Sequence, residues 1–237
     1  MQIKSGPDKQ PISEEEIDEN LKASFPASDS PSWTLGTDHV AERAEVITAE
    51  TQQTKERPDT LTQPVSDRDH IQGDESAAVT LLMYGAYECP HCVDGNRIVK
   101  QIQGLFKEKL RFVFRHFPRT DVHPHAEAAA EVAEAAGEQN RFWEMHDTLF
   151  KNYNRLDGTH LLVYAELLGL KMKRFEQVIT RRIFAQRVRE DLISGIESGV
   201  RGTPTYFING YKHSGPRDFA TLVEAIKNAD FGRNDHS

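Results

Sequence analysis

Apolar and polar positions divide the chain into two unequal parts. From residue 77 onward hydrophobic side chains recur at regular spacing, whereas before it they are sparse. The run Ala77-Ala-Val-Thr-Leu-Leu-Met-Tyr84, stopped by Gly85, is long enough for a buried strand and too short for a helix. A helical repeat follows from Asn96 to about Lys109, with Ile98, Val99, Ile102, Leu105 and Phe106 on one side. Leu110–His116 alternates as a second strand. Strand, loop, helix and strand form a βαβ unit, which requires parallel neighbours in one sheet. Ala126–Ala136 combines the best helix former with charged residues on one face, and Gly137 is its stop. Arg141 to Tyr153, Thr159 to Leu168 and Arg174 to Ser198 are predicted as three more helices, with Thr159 as a cap and Gly199 closing the last. The chain then returns to strand at Thr205–Ile208. Asn209-Gly210 predicts a tight hairpin into Tyr211–His213, and Asp218 caps a final amphipathic helix bearing Leu222, Val223 and Ile226.

Residues 1–75 are rich in Ser, Thr, Pro, Gln, Asp and Glu, and bury too little to offset the entropy of ordering them. They are expected to be largely disordered, with 35–75 as a linker. One island, Ile17 to Trp33, places Ile17 and Leu21 on one helical face before Pro26 and Pro31 end it. It resembles a short SFPASD-x-PSW element found at the ends of assorted bacterial proteins. Residues 232–237 read as a tail. The charge follows the same division: residues 1–76 hold 7 Lys+Arg against 17 Asp+Glu, and the remainder 22 against 20. Without a basic footprint, nucleic acid is not an expected partner. With no run of 18 apolar residues, no spanning helix is expected. The opening residues lack the apolar core of an export signal, which predicts a cytoplasmic protein with no membrane partner.

The only two cysteines stand in Cys89-Pro90-His91-Cys92. A bridge this short closes almost no loop, so the pair is not there for stability. Thiol–disulfide exchange needs a thiolate that is stable yet nucleophilic and a second thiol to resolve the mixed disulfide. A Cys-x-x-Cys opening a helix after a strand supplies both, since unpaired N–H groups and the helix dipole favour an anion at Cys89. Pro90 suits the first helical position. His91 offers positive charge or a hydrogen bond to the thiolate, and Glu88, expected to be exposed, opposes it. Half a zinc site is the competing reading. No second Cys pair exists, and His116, His123 and His125 match no familiar zinc spacing, so no metal is expected. Gly202-Thr203-Pro204-Thr205, directly before an apolar strand, fits a tight turn with a cis proline facing the dithiol, where neighbouring backbone groups can hold a substrate peptide. Phe142, Trp143, Met145 and Phe150 fall at helical spacing and are expected in the core, with His146 and His160 at the surface.

In order, these features resemble the DsbA-like branch of the thioredoxin superfamily. Cys89-Pro90-His91-Cys92 matches its motif letter for letter, and the 112 positions from Cys92 to Pro204 leave room for that branch's helical insertion. Phe114-Arg-His-Phe-Pro118, His125-Ala126 and Phe142-Trp143-Glu144-Met145-His146 resemble the insertion of a large bacterial group within it. The resemblance implies an α/β thioredoxin-like fold over residues 76–231, with a helical insertion at about 119–199. It implies Cys89 as nucleophile, Cys92 as resolving thiol and His91 as thiolate stabiliser, with Pro90, Thr203 and Pro204 facing the substrate. Two positions depart from it: Met83 stands where the periplasmic members bury an acid, and Ala86 where many relatives have Asp. The implied protein is a thiol–disulfide oxidoreductase for protein thiols and disulfides, needing an electron donor and no cofactor beyond the Cys89–Cys92 couple. In a reducing cytosol it would act as a reductase or repair enzyme. A non-catalytic thioredoxin-fold binding protein is the alternative, as is a glutathione-linked isomerase of small molecules, which the intact cysteine pair disfavours.

Overall fold

The computed structural model describes residues 59–231. The SFPASD-type segment, the expected disorder before residue 59 and the 232–237 tail lie outside the described residues. In chain order the first half contains β1 (His70–Gln72), β2 (Val79–Gly85), α1 (Pro90–Phe106), a 3-10 turn (Lys107–Lys109) and β3 (Leu110–His116). A block of five helices follows: α2 (Ala126–Gly137), α3 (Phe142–Lys151), α4 (Gly158–Leu167), α5 (Met172–Thr180) and α6 (Ala185–Glu197). The chain closes with β4 (Thr205–Ile208), β5 (Tyr211–Lys212) and α7 (Phe219–Phe231).

The strands form one sheet in the order β1-β3-β2-β4-β5. β2 and β3 run parallel, from Val79 opposite Leu110 to Gly85 opposite His116, and every other neighbouring pair is antiparallel. All of β2 is buried, which is why it reads as a continuous apolar run rather than an alternating one. Helices α1 and α7 and the inserted helices share a core with Val79, Leu81 and Met83 of β2. On the opposite side Leu82, Tyr84, Val113 and Phe207 pack with Leu192 of α6 and with Leu61, Val65 and Ile71. The hairpin is as expected, with Asn209 and Gly210 at φ 50° and 85° and the Thr80 N–H donating to Asn209 Oδ1 at 2.8 Å.

Several expectations need correction. Residues 59–75 are not a linker: they belong to the folded unit, as a strap held to β3 by a buried guanidinium. Arg115 Nε and Nη2 donate to Asp69 Oδ1 and Oδ2 at 2.7 and 2.9 Å, and the remaining N–H groups reach the Gln63 and Pro64 carbonyls and the Tyr84 hydroxyl. Thr159 is not the cap of α4. Asp157 is, accepting from the Thr159 and His160 N–H groups. The predicted helix 174–198 is two helices, because Arg182 adopts φ 50° between them. That turn sends its guanidinium to Glu127 and Glu131 on α2, at 2.6 Å each. The acidic face of α2 is therefore buried rather than wet. Leu105, assigned to the buried side of α1, is exposed. His146 lies in the core with Phe142, Met145 and Phe150.

Candidate active site

The helix carrying the dithiol begins six residues before the apolar repeat does. Cys89 is its cap residue, Pro90 opens its first turn, and Cys92, Gly95, Asn96, Val99 and Ile102 form its buried face. The Cys92 and Val93 N–H groups bond back to the Cys89 carbonyl at 2.9 and 3.2 Å. Cys89 thus sits where helical N–H groups lack intrahelical acceptors, and Cys92 lies one turn deeper, with no exposed surface. Both are free thiols.

Hydrogen bonding splits the two sulfurs. Cys92 donates its thiol proton to the Cys89 sulfur, and this is the largest of the effects on Cys89. Burial opposes it, and the Thr203 hydroxyl and the backbone N–H groups of Cys92 and His91 add to it. Together they bring the Cys89 thiol down to about 4. Burial pushes the Cys92 thiol far up, aided by the neighbouring Cys89 charge and opposed by the Ala86 N–H, which donates to Cys92 Sγ at 3.5 Å. One sulfur is a stable anion near neutral pH and the other a proton carrier.

Facing the pair is the Thr203–Pro204 peptide, which is cis as expected. The Thr203 carbonyl oxygen is 3.8 Å from Cys89 Sγ. His91 contributes differently from the expectation. Its backbone N–H reaches the thiolate, whereas its exposed imidazole makes no hydrogen bond to either sulfur among the described residues.

Glu88 is not the free, exposed opponent expected. Its carboxylate accepts from the His125 backbone N–H at 2.7 Å and from His125 Nδ1 at 2.8 Å, which turns it toward the start of α2. The contact ties the dithiol loop to the inserted helices. It also yields a prediction. His125→Ala should move the Cys89 titration midpoint up and Glu88→Gln should not, because only the first leaves a carboxylate beside the sulfur that has lost its imidazole partner and keeps the backbone N–H alone. Thiolate absorbance against pH reads both.

Behind the dithiol, Tyr87, His146 and Asn96 form a buried relay. The Tyr87 hydroxyl donates to His146 Nδ1 at 3.2 Å, and His146 Nε2 donates to Asn96 Oδ1 at 3.3 Å. Burial pushes the His146 imidazole well down, so it is neutral and serves to pin α1 to α3. Further back, His116, Glu134 and Asp191 bring donor atoms within 4.8 Å of one another, a spacing that suits a metal ion. Those donors are already engaged. Glu134 accepts from His116 Nε2 and His70 Nε2, both at 3.0 Å. Asp191 accepts from Arg187 at 2.7 Å, from Arg68 at 3.1 Å and from the His116 backbone N–H at 3.1 Å. The group reads as a charge network that holds the strap and α6 to α2. His123 and His125, the other histidines weighed for zinc, lie outside it.

Sequence reasoning missed the contact of His125 with Glu88, the Tyr87–His146–Asn96 relay and Tyr206. Only Tyr206 left a signal: strand alternation puts it on the same face as Pro204, toward α1.

A family model described as thioredoxin matches residues 65–228. Over 166 residues the chain is 44% identical to the Na(+)/H(+) antiporter NhaA 1 of Salinispora arenicola, a match spanning 70% of this chain and 25% of that protein. The chain thus spans about a quarter of the length of the curated relatives it matches. Among solved structures, BdbD from Bacillus subtilis in its oxidised form aligns with a TM-score of 0.66 and 22% identity, over 75% of this chain and all of that one. Wolbachia pipientis alpha-DsbA1 aligns with a TM-score of 0.63 and 23% identity, over 73% and 95%. These likenesses show a DsbA-type thioredoxin fold.

Proposed function

Because the chain belongs to the thioredoxin family, in its DsbA-like branch, we propose that it exchanges disulfides with protein substrates through Cys89 and Cys92. The observation that carries this reading is the division of labour between the sulfurs: an anion at the amino end of α1, and a buried thiol one turn behind it. In the exchange the Cys89 thiolate attacks a substrate disulfide, forms a mixed disulfide and releases the other substrate sulfur as a thiolate. Cys92 then loses its proton, bonds to the Cys89 sulfur and displaces the second substrate sulfur. Two electrons pass to the substrate, and a thiol donor must return two electrons and one proton to restore the Cys89 thiolate and the Cys92 thiol. Thr203 and Pro204 flank Cys89 from across the site, where an extended peptide can lie along the loop.

The finer reading is a cytoplasmic reductase or repair enzyme. In a thiol-rich compartment mass action keeps the pair as the dithiol that attacks substrate disulfides. The Cys89 thiolate stabilises that dithiol and so makes it a milder reductant, matched to substrate disulfides that are themselves easily reduced. The antiporters are named for sodium–proton exchange, which is a property of those longer proteins. That a matching segment recurs within them supports reading this domain as a self-contained module.

Insulin reduction in the presence of dithiothreitol tests the proposal. Wild type should accelerate it and Cys89→Ser should fall to the uncatalysed rate; equal rates for the two would end the proposal. Cys92→Ser should leave substrates stranded on Cys89, and an empty trap would favour the non-catalytic binding alternative.

A further inference from the structure

Tyr206 is buried, at 1% exposure, and its hydroxyl makes no hydrogen bond among the described residues. A phenol that loses water without gaining a partner costs the fold stability, so its retention calls for a function. Its position supplies one. Tyr206 lies two residues beyond Pro204 on β4, opposite Met83 of β2, and points at α1. There it meets Gly95, one turn after Cys92: a methyl group on Gly95 would lie 2.5 Å from the hydroxyl and 3.2 Å from Pro204 Cγ. The glycine leaves the room in which the hydroxyl sits, beneath the first turn of the helix that carries the dithiol.

We propose that Tyr206 is a positioning residue for the resolving step, its unpartnered hydroxyl supplying a hydrogen bond to the Cys92 sulfur as that sulfur gives up its proton. The inference rests on the exchange reading given above. In the resting dithiol the Cys92 proton points to the Cys89 thiolate. Once Cys89 is tied up in a mixed disulfide that acceptor is gone, and burial alone opposes ionisation of Cys92. The Ala86 N–H and Thr203 already face the sulfur, and no carboxylate hydrogen-bonds to it among the described residues. Tyr206, whose hydroxyl lies against Gly95 one turn after Cys92, has a donor to spare among the described residues. Burial pushes its phenol up and the charge on Cys92 adds to this, so it stays protonated and donates without giving its proton away. The proton lost by Cys92 leaves with the displaced substrate sulfur, as the new Cys89–Cys92 bond forms and the Cys89–substrate bond breaks.

A two-step titrant separates this role from a structural one. Reduced protein mixed rapidly with an aromatic disulfide whose thiolate is coloured releases one equivalent when Cys89 attacks and a second when Cys92 resolves. Tyr206→Phe should leave the first phase within about twofold of wild type and slow the second about tenfold, the effect of one hydrogen bond to a charged sulfur. It should also raise the melting temperature, because the orphaned hydroxyl is gone. An unchanged second phase, or equal slowing of both phases, overturns the inference while the exchange reading stands. A wild-type protein with no first phase overturns both.

Discussion

Alkylation of Cys89 by iodoacetamide is expected to be nearly independent of pH between about 5 and 7, where an unperturbed thiol gains about a hundredfold in rate. The reason is that the Cys89 thiol is brought down to about 4, so the anion is already dominant at the lower end of that range. A low-pKa thiolate is intrinsically a weaker nucleophile, but this scales the whole profile and leaves its shape alone. A rate that climbs tenfold per pH unit would mean an ordinary thiol, and the exchange chemistry would lose its basis. The same shift acts on stability. A group depressed in the folded protein stabilises it as pH rises through the folded value. The gain is complete above the unfolded value, about 8.5, and lost as pH falls through about 4. At pH 7 it approaches about 4 kcal/mol. The disulfide form has no thiolate and gains nothing. Thermal unfolding should therefore favour the reduced protein at pH 7, with the gap closing near pH 4. That difference corresponds to a couple tilted toward the dithiol by about 90 mV.

Arg115→Met is expected to cost about 3–5 kcal/mol, the cost of leaving a buried charge without its partner. In a domain of this size that is a fall in melting temperature of about 10 °C or more. Arg115 is 2% exposed and its bonds to Asp69, Gln63, Pro64 and Tyr84 engage all three of its nitrogens, so the substitution strands Asp69 and two carbonyls together. Burial pushes the Asp69 carboxyl up, but the Arg115 guanidinium outweighs it and holds the group below the usual range, so acid should weaken the strap as pH falls through that value. Adding Asp69→Leu to Arg115→Met should recover much of the loss, because a matched apolar pair replaces a broken ionic one. A single variant that melts like wild type would show that the strap is held by its apolar contacts alone.

Strands and helices with a repeating apolar face were legible in the sequence because burial on one side leaves a period. The site was legible because its two reactive groups occupy a four-residue motif and a Thr-Pro turn. What was not legible has physical reasons. The first turn of α1 carries Cys, Pro, His and Cys in place of an apolar repeat, so the helix seemed to begin at Asn96. The strap looked like a linker because its anchor is ionic: Asp69 and Arg115 lie 46 positions apart, and no local pattern announces such a pair. Arg182 broke a predicted helix to neutralise two glutamates more than 50 positions upstream. His146 was placed at the surface because a lone histidine is polar by default, yet Tyr87 and Asn96 satisfy both of its nitrogens.

The strap also guards the sheet at both margins. Its first residues run beside β5, where Thr60 bridges Tyr211 and Lys212 donates to the Asp59 carbonyl, and its last residues become β1 on the far side of β3. Some fourteen residues thus occupy the two places where a foreign strand would most readily add, and cover the apolar ground between them. The compositional frontier near residue 76 and the mechanical one at or before residue 59 are different places. A fragment trimmed at the first would keep every atom of the dithiol and lose its own protection against self-association.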